Sequence, residues 1–391
     1  MRYTSTAVVE VGTMPFRERC VMSLREEFVQ RALAEDEPFR ALCRRFEISA
    51  PTGYRWLVRY RREGLAGLAD RSRRPRRSPR RTSPELEAAV LALRARHPSW
   101  GGRKLAARLR ALGRTPVPAP STITAILRRH DRLDPARAGR PRDFQHFEHE
   151  APNELWQMDF KGHVPCGGGR CHPLTVLDDH SRYALTLAAC ADERGETVQD
   201  RLVETFRQHG LPQRLLVDNG SPWGAPGAVH GYTPLTIWLL RLGVQVVHSR
   251  PRHPQTLGKD ERFHRTLNAE LLGEPLPDLG TAQRRFDAWR RVYNHERPHE
   301  AIDDAVPASR YWPSERPYPE QLPPIEYPRG DELRKVQDGG RVDFQTRRLR
   351  VGKGFTGLQV AVRPLDAEDC WAIYFNATCI AKYNLATGER V

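Results

Sequence analysis

The chain has 391 residues, of which 39% are hydrophobic and 28% charged, enough for roughly two to four folded domains. Its 63 Lys and Arg against 48 Asp and Glu give a net charge of +15, which favours a polyanionic partner, and nucleic acid over a membrane because no basic anchor helix is present. No apolar run is long enough to span a membrane, no signal-peptide pattern opens the chain, and the seven cysteines are scattered, so a cytosolic location is expected.

Residues 22–70 predict a helix-turn-helix domain, after an amino-terminal segment, 1–21, with no clear pattern. Three helical stretches follow one another, and Ser49 in the last tight turn is placed to cap the third helix. That helix is basic and aromatic, and we expect its Arg55 and Arg59 to contact DNA. A three-helix bundle without a ligand is the alternative.

Residues 71–83 predict an Arg-rich linker. Seven of the eleven residues from 71 to 81 are arginine, two are proline and none is acidic, so the segment cannot form a core. Such an arm suits phosphate contacts or insertion into a minor groove, and a passive solvated linker is the alternative. The arginines expected to bind DNA here are Arg71, Arg73, Arg74, Arg76 and Arg77.

Residues 84–131 repeat the three-helix pattern without repeating the sequence. An apolar stripe runs through Val90 and Leu93, and Ser121 is expected to cap the last helix. Two helix-turn-helix domains in tandem would read an extended DNA site. Residues 132–150 then form a second linker.

Residues 151–300 predict a mixed α/β sheet, with elements in the order β-β-β-α-β-α-β-α. Apolar and polar residues alternate around Asp159, which puts this acid on the polar face of the first strand. Asp218 follows a short buried strand and precedes Asn219-Gly220, a pair that favours a left-handed turn. Ligands of α/β sheets bind at the carboxyl ends of strands, so both acids are candidate site residues.

A third acid, Glu261, lies on an amphipathic helix near the end of this region. Phe263 and Leu267 belong to its apolar stripe, whereas Glu261 and Arg265 lie about 200° round from the stripe. Three converging carboxylates would bind Mg²⁺, and a pair of such ions supports in-line phosphoryl displacement. An ordinary amphipathic helix with an ion pair is the alternative. Glu270 is a rival third acid, disfavoured because it lies on the stripe side.

Two further groups of residues are weaker candidates. A glycine-rich hairpin carries residues of the types that bind zinc, although a hairpin that merely contains them is the alternative. These residues are His163, Cys166, Cys171 and His172. Asp178 and Asp179 end a strand and are candidates for supporting acids, with a role in the turn as the preferred alternative.

Residues 301–328 are rich in proline and predict a connector. From residue 329 to 391 the chain returns to short strands joined by tight turns, which predicts a small all-β barrel. The predicted fold class is therefore an α/β core with all-α helix-turn-helix domains before it and a β-barrel after it.

Three blocks of the core resemble the catalytic blocks of the integrase-core DDE transposases, the superfamily that bacterial insertion sequences share with retroviral integrases. The blocks are WQMDFKG, LLVDNGSPWG and HPQTLGKDERFHRTL, in that order. The resemblance implies an RNase H-like fold for the core. It also implies that Asp159, Asp218 and Glu261 bind a pair of Mg²⁺ or Mn²⁺ ions, and that Gln255 and Arg265 lie beside the DNA end.

The resemblance implies a transposase of a bacterial insertion element, acting as a homo-oligomer on double-stranded DNA at the bacterial nucleoid. It would cleave a phosphodiester at each terminal repeat and use the freed 3′-hydroxyl to attack target DNA. Two features depart from the retroviral pattern. The 42 residues between Asp218 and Glu261 are somewhat more than that pattern implies, and helix-turn-helix units stand where retroviral integrases have an amino-terminal zinc module. The alternatives are a transcriptional regulator with an inactive core, which has no need of all three acids, and an RNase H-type nuclease.

Overall fold

The chain divides into two compact units, before and after Arg81. A computed structural model describes residues 21–71, 82–133, 148–224, 231–249 and 258–391. Five of the predicted DNA-binding residues lie outside these ranges: Arg73, Arg74, Arg76, Arg77 and Gln255. Among the helices of the described ranges, none has both the length and the apolar character that a membrane crossing requires.

The first unit is a three-helix bundle, as its sequence predicts. Its helices are α1 (Val21–Ala34), α2 (Phe39–Arg45) and α3 (Ala50–Glu63). Ser49 is the N-cap of α3, and its side chain accepts a hydrogen bond from the backbone nitrogen of Thr52 at 3.4 Å. A Cβ at Gly53 would lie 2.8 Å from Cys43 Sγ, so only glycine permits this close approach of α3 to α2.

A second three-helix bundle opens the second unit. Its helices are α4 (Pro84–Arg96), α5 (Gly102–Ala111) and α6 (Pro120–Arg129). The predicted cap of α6 at Ser121 is wrong, because the helix begins at Pro120 and Ala119 is its N-cap, with no side-chain hydrogen bond. Proline is well suited to the first helical position, where the missing N–H costs nothing.

The core is a mixed sheet in the order β4–β3–β1–β5–β6, with β2 also paired to β3. The prediction missed the short strand β2, which lies in the stretch expected to be a turn. The strands are β1 (Leu155–Phe160), β2 (Val164–Cys166), β3 (Gly169–Asp178), β4 (Ala184–Cys190), β5 (Arg214–Val217) and β6 (Gln245–His248). The helices are α7 (Gly195–His209), α8 (Pro234–Arg241), α9 (Gly258–Glu270) and α10 (Leu279–His295).

Helices cover both faces of this sheet. Trp156 and Met158 of β1 lie in one apolar cluster with residues of α7 and α8. Phe263 and Leu267, the predicted stripe of α9, lie in a second cluster with α10 and the opposite face of β3 and β4. The alternation predicted for β1 and the stripe predicted for α9 are therefore both confirmed.

The proline-rich connector lies along the core. Tyr311 stacks on Tyr183 with ring centroids 4.2 Å apart. Further on, the Arg316 guanidinium donates hydrogen bonds to the carbonyl oxygens of Pro212 at 2.8 Å and Leu242 at 3.0 Å. The connector thus fixes the loops before β5, which pairs with β1, and before β6, which pairs with β5.

The carboxyl-terminal domain is a four-stranded sheet in the open order β12–β11–β10–β7, with a separate hairpin of β8 and β9. Its strands are β7 (Glu332–Lys335), β8 (Arg341–Phe344), β9 (Arg347–Arg350), β10 (Gln359–Pro364), β11 (Cys370–Phe375) and β12 (Thr378–Asn384). In the described residues no pairing closes the sheet, so the predicted barrel is not confirmed. Ile237 and Leu240 of α8 pack in the apolar cluster of this domain. A helix of the core therefore covers apolar residues that the strands of a closed barrel would cover.

His209, at the end of α7, is a buried group whose protonation should affect stability. The residue is 4% exposed, its ring packs edge to face against both Tyr183 and Tyr311, and neither ring nitrogen has a hydrogen-bond partner in the described residues. Burial, and then the charge of Arg290, lower its pKa to about 4. Because the folded-state pKa is the lower one, the contribution of His209 to stability is complete above pH ~6.5 and falls by up to about 3 kcal/mol toward pH 4.

Urea unfolding of the full chain at pH 7 and pH 5 measures this effect. His209→Leu should lose less stability than the wild-type protein over that interval, because leucine cannot bind a proton. His163→Gln, which alters an exposed histidine, should follow the wild-type protein. An identical loss of stability in His209→Leu and wild type would contradict the prediction.

Candidate active site

Two carboxylates lie side by side at the carboxyl ends of neighbouring parallel strands. β1 and β5 pair in parallel, with Gln157 opposite Leu216. Asp159 lies two residues after Gln157 on β1, and Asp218 lies two residues after Leu216, directly after β5. Neighbouring strands are about 4.8 Å apart, and residues in register point to the same face. The structure therefore brings together two of the three acids that the sequence predicted.

The turn after β5 holds Asp218 in place. Its Oδ1 accepts a hydrogen bond from the backbone N–H of Gly220 at 3.0 Å, which forms an Asx-turn. Its carbonyl oxygen lies 2.8 Å from Nδ1 of His248 on the next strand. Neither Asn219 nor Gly220 has a positive φ, so the left-handed turn predicted here is wrong. The Asp218 side chain itself organises the turn instead.

The two carboxylates repel one another. Burial, and then the charge of Asp218, raise the pKa of Asp159 to about 6. Among the described residues, His264 is the basic group within ion-pair distance of Asp159, with Nδ1 4.0 Å from Oδ2. Burial lowers the pKa of His264 to about 4, so at neutral pH its ring is uncharged. Two oxygen donors whose repulsion a cation would relieve fit Mg²⁺ or Mn²⁺.

Glu261 lies in the first turn of α9 but its side chain is 65% exposed. Its Oε1 is 4.0 Å from the guanidinium of Arg265, the partner that the sequence predicted. In the part of the chain that the structure describes, no three His, Cys, Asp or Glu side chains are grouped closely enough to hold a metal ion. The structure thus places Glu261 on the expected helix without bringing it together with Asp159 and Asp218.

Asp260, which the sequence analysis missed, is the acid that α9 turns inward. It is fully buried, and neither of its carboxylate oxygens has a hydrogen-bond partner among the described residues. Burial, followed by the charges of Asp159 and Asp179, raises its pKa well above the ordinary value. Asp260 precedes His264 by four positions and Leu267 by seven, so the apolar stripe of α9 was the signal that could have found it.

Glu270, the rival third acid, is bound at the other end of α9. Its Oε1 accepts hydrogen bonds from Ser99 Oγ at 2.7 Å and Arg297 Nε at 3.1 Å, and its Oε2 accepts from Trp289 Nε1 at 3.1 Å. The side chains of Glu270 and Arg297 are 11% and 9% exposed. These contacts give Glu270 a role in the packing of the helices.

Asp178 and Asp179 bind neighbouring groups in the turn after β3. Asp178 Oδ1 accepts hydrogen bonds from the backbone nitrogen and the hydroxyl of Ser181. Asp179 Oδ1 accepts from Gln157 Nε2 at 2.7 Å and lies 2.5 Å from Lys259 Nζ. These contacts favour the predicted role in the turn, and Asp179 also ties the start of α9 to β1.

The hairpin of β2 and β3 carries the four zinc-type residues. Cys166 and Cys171 belong to the apolar cluster beneath α9 and α10, and burial raises the pKa of the Cys171 thiol to about 12. His172 Nδ1 lies 2.8 Å from Glu193 Oε1, and the rings of His163 and His172 are 6.0 Å apart. A cysteine that binds zinc must be a thiolate, which the raised pKa of Cys171 opposes. These contacts therefore favour a hairpin that merely contains the four residues.

Arg55 lies on the exposed face of α3. Tyr54 and Val58 share this face and are 56% and 53% exposed, which is high for apolar side chains. An arginine flanked by exposed apolar groups on the last helix of the bundle is a suitable surface for a DNA groove.

Two other arginines predicted to bind DNA make contacts inside the first unit. Arg59 lies over the ring of Trp56, 4.6 Å from its centroid, and donates a hydrogen bond to the carbonyl oxygen of Ala69 at 2.5 Å. Arg71 pairs with Glu63 at 2.5 Å, and this hydrogen bond lowers the pKa of Glu63. Both contacts hold the segment after α3 against the bundle.

Four kinds of domain recognised by family profiles follow one another along the chain. An integrase core domain matches residues 149–254 and 242–307. A helix-turn-helix domain matches residues 24–76, and a homeodomain-like domain matches 52–127. The carboxyl-terminal domain of the IS481 family of transposases matches residues 331–390. The chain thus resembles the integrase-core transposases of insertion elements. The mixed sheet with helices on both faces agrees with the core that this resemblance implies.

Proteins of insertion elements are similar to this chain. A 31.7 kDa protein of insertion element IS407 from Burkholderia multivorans is 28% identical over 159 residues, which cover 40% of this chain and 55% of that protein. A 39.2 kDa protein of IS476 from Xanthomonas euvesicatoria is 27% identical over 158 residues, covering 40% of this chain and 44% of that protein. The chain spans about half the length of the curated relatives it matches.

Solved structures of retroviral integrases are also similar to this chain. The catalytic core domain of HTLV-2 integrase, in complex with magnesium, is 12% identical with a TM-score of 0.31, covering 41% of this chain and 97% of that chain. The simian T-cell lymphotropic virus intasome, in complex with the PP2A regulatory subunit B56 gamma, is 14% identical with a TM-score of 0.37, covering 77% of this chain and 98% of that chain.

Proposed function

We propose that the protein binds the ends of an insertion element and catalyses metal-dependent cleavage of DNA and strand transfer. The observation that carries the proposal is the position of Asp159 and Asp218 at the carboxyl ends of two neighbouring parallel strands of an integrase core. The reaction would be hydrolysis of a phosphodiester at each end, which frees a 3′-hydroxyl. That hydroxyl would then attack a phosphodiester of target DNA.

Asp159, Asp218 and Glu261 would hold the cations, Mg²⁺ or Mn²⁺. When bound, a pair of such ions activates the attacking oxygen and stabilises the leaving oxygen of an in-line displacement. The uncharged ring of His264 and the buried carboxyl group of Asp260 lie near Asp159. Glu261 must turn toward Asp159 to complete the trio, since adjacent residues of a helix lie about 100° apart.

The basic residues would bind the DNA. Arg55 would contact DNA through the exposed face of α3, and the arginines of the linker would contact phosphates. Arg265, beside Glu261 on the solvent side of α9, and Gln255 would lie along the DNA end. Contacts of this kind to phosphates position the DNA, while contacts to base edges specify its sequence.

Two element ends must be cut and joined together, so we infer that the protein acts as a homo-oligomer on DNA at the nucleoid. The fold also permits a regulator that binds DNA with an inactive core. The two functions differ in one requirement, because a regulator needs no paired acids beside one another.

The function is tested by incubating the full chain with Mg²⁺ and a duplex that carries the DNA flanking its own gene. We expect one nick at each element end, with a free 3′-hydroxyl, and no nick when EDTA replaces Mg²⁺. Specific binding of the duplex without any nick, in Mg²⁺ and in Mn²⁺, would favour the regulator.

A further inference from the structure

The second bundle is linked to α9, the helix that carries Glu261, through Glu300 near the amino end and directly at the carboxyl end. At the amino end, Arg103 of α5 pairs with Glu300, whose carboxylate lies 3.7 Å from the guanidinium of Arg262. At the carboxyl end, Ser99 donates its hydroxyl hydrogen bond to Glu270. The bundle therefore braces the helix next to the candidate active site.

The bundle also packs against α10. Arg108 of α5 lies 2.6 Å from Glu296, and these side chains are only 19% and 29% exposed. Val292 of α10 packs against the apolar cluster of the bundle. Removing one partner of an ion pair shielded in this way costs more than removing one partner of an exposed pair, because the other charge is left without its counter-charge. The bundle belongs to the same compact unit as the core, whereas the first bundle does not.

A different helix of the bundle is available to DNA. α5 and the loop before it provide the polar contacts with the core, while the exposed residues of α6 include Ser121, Thr122, Ala125 and Arg128. Short polar and small apolar side chains on the last helix of such a bundle can reach base edges in a major groove, and an arginine beside them can reach a phosphate.

We propose that the second bundle is a fixed part of the catalytic unit, and that Ser99, Arg103 and Arg108 are positioning residues. They set the distance between the DNA sequence that α6 reads and the phosphodiester that is cleaved beside Asp159. The inference rests on the function proposed above. Its physical basis is that a displacement of reacting groups by about 1 Å can lower a rate ~100-fold.

Charge reversal across the Arg108–Glu296 pair tests the proposal. The assay uses full-length protein, Mg²⁺ and the duplex that carries the DNA flanking its gene. Arg108→Glu should lower the rate of nicking at least about tenfold and spread the nicks over neighbouring phosphodiesters, with little change in Kd for the duplex. Adding Glu296→Arg should restore the pair, the rate and the single position. Arg110→Glu, on the exposed side of α5, is the matched control and should behave as wild type.

Each outcome distinguishes this proposal from the proposed function. If wild type nicks the duplex and Arg108→Glu does so at the same position and rate, the positioning role is overturned. If wild type does not nick any end, the proposed function fails, and calorimetry then tests the fixed bundle without chemistry. In calorimetry of the full-length protein, the unit of residues 82–391 should unfold in one transition in wild type and in two transitions in Arg108→Glu. The double variant Arg108→Glu/Glu296→Arg should recover the single transition. A single unchanged transition in Arg108→Glu would overturn the fixed bundle.

Discussion

Asp218→Asn should lower the rate of DNA nicking by about a thousandfold while the protein stays folded. The substitution removes the charge that would bind a cation beside Asp159. Asparagine keeps the oxygen that accepts the hydrogen bond from the Gly220 backbone, so the turn after β5 is preserved. It also removes the repulsion between the two neighbouring acids, so the metal-free protein should be at least as stable as wild type.

Nicking of the end duplex, unfolding in EDTA and binding of Mn²⁺ by calorimetry together check this expectation. Binding of the end duplex in EDTA should change little, because Asp218 is not one of the residues proposed to bind DNA. Asp287→Asn, at an acid on α10 whose side chain is 53% exposed, is a control for loss of one negative charge. An Asp218→Asn protein that nicks DNA at the wild-type rate would remove Asp218 from the active site.

Glu270→Gln should lower the free energy of unfolding by about 3 kcal/mol, because it leaves the Arg297 guanidinium buried without its counter-charge. The carboxylate now accepts hydrogen bonds from three donors, on Ser99, Trp289 and Arg297. A glutamine has one acceptor oxygen, and its amide group would face one of those donors. Loss of stability should come without loss of Mn²⁺ affinity, which separates a packing role from a role as third acid.

Urea unfolding of Glu270→Gln and of Glu261→Gln makes the comparison. Glu261 is 65% exposed, so its substitution should change stability by less than about 0.5 kcal/mol. A Glu270→Gln protein as stable as wild type, with weaker Mn²⁺ binding, would contradict the assignment and return Glu270 to the list of site acids.

The sequence predicted the structure correctly where the periodicity of apolar residues indicates which side of an element is buried. The stripe of Phe263 and Leu267 and the alternation around Asp159 both describe which side of an element is covered, and the structure confirms both. The barrel at the carboxyl terminus is not confirmed for a reason that local patterns do not contain. The apolar face of that sheet is covered by Ile237 and Leu240, which lie about 100 residues earlier in the chain.

In the candidate site, too, local patterns predicted some features and contacts between distant residues decided others. Parallel pairing of β1 with β5 brings Asp159 beside Asp218, as the positions of both acids at strand ends predict. The rotation of α9 about its axis decides whether Asp260 or Glu261 faces β1, and a helix of this length can present either to the sheet. The stripe of Phe263 and Leu267 puts Asp260 on the packed side of α9. The contact of Lys259 with Asp179, 80 positions apart, supports the same rotation and is one that no local pattern records.

The most direct measurement of the central claim is a strand-transfer assay. Full-length protein and Mg²⁺ are mixed with a labelled, pre-nicked end duplex and a supercoiled plasmid. The proposed function predicts that the labelled 3′ end becomes covalently joined to plasmid DNA in the wild-type reaction, and that Asp218→Asn yields no such product. Nicked DNA without any joined product in wild type, or joined product in Asp218→Asn, would contradict the claim that these acids catalyse strand transfer.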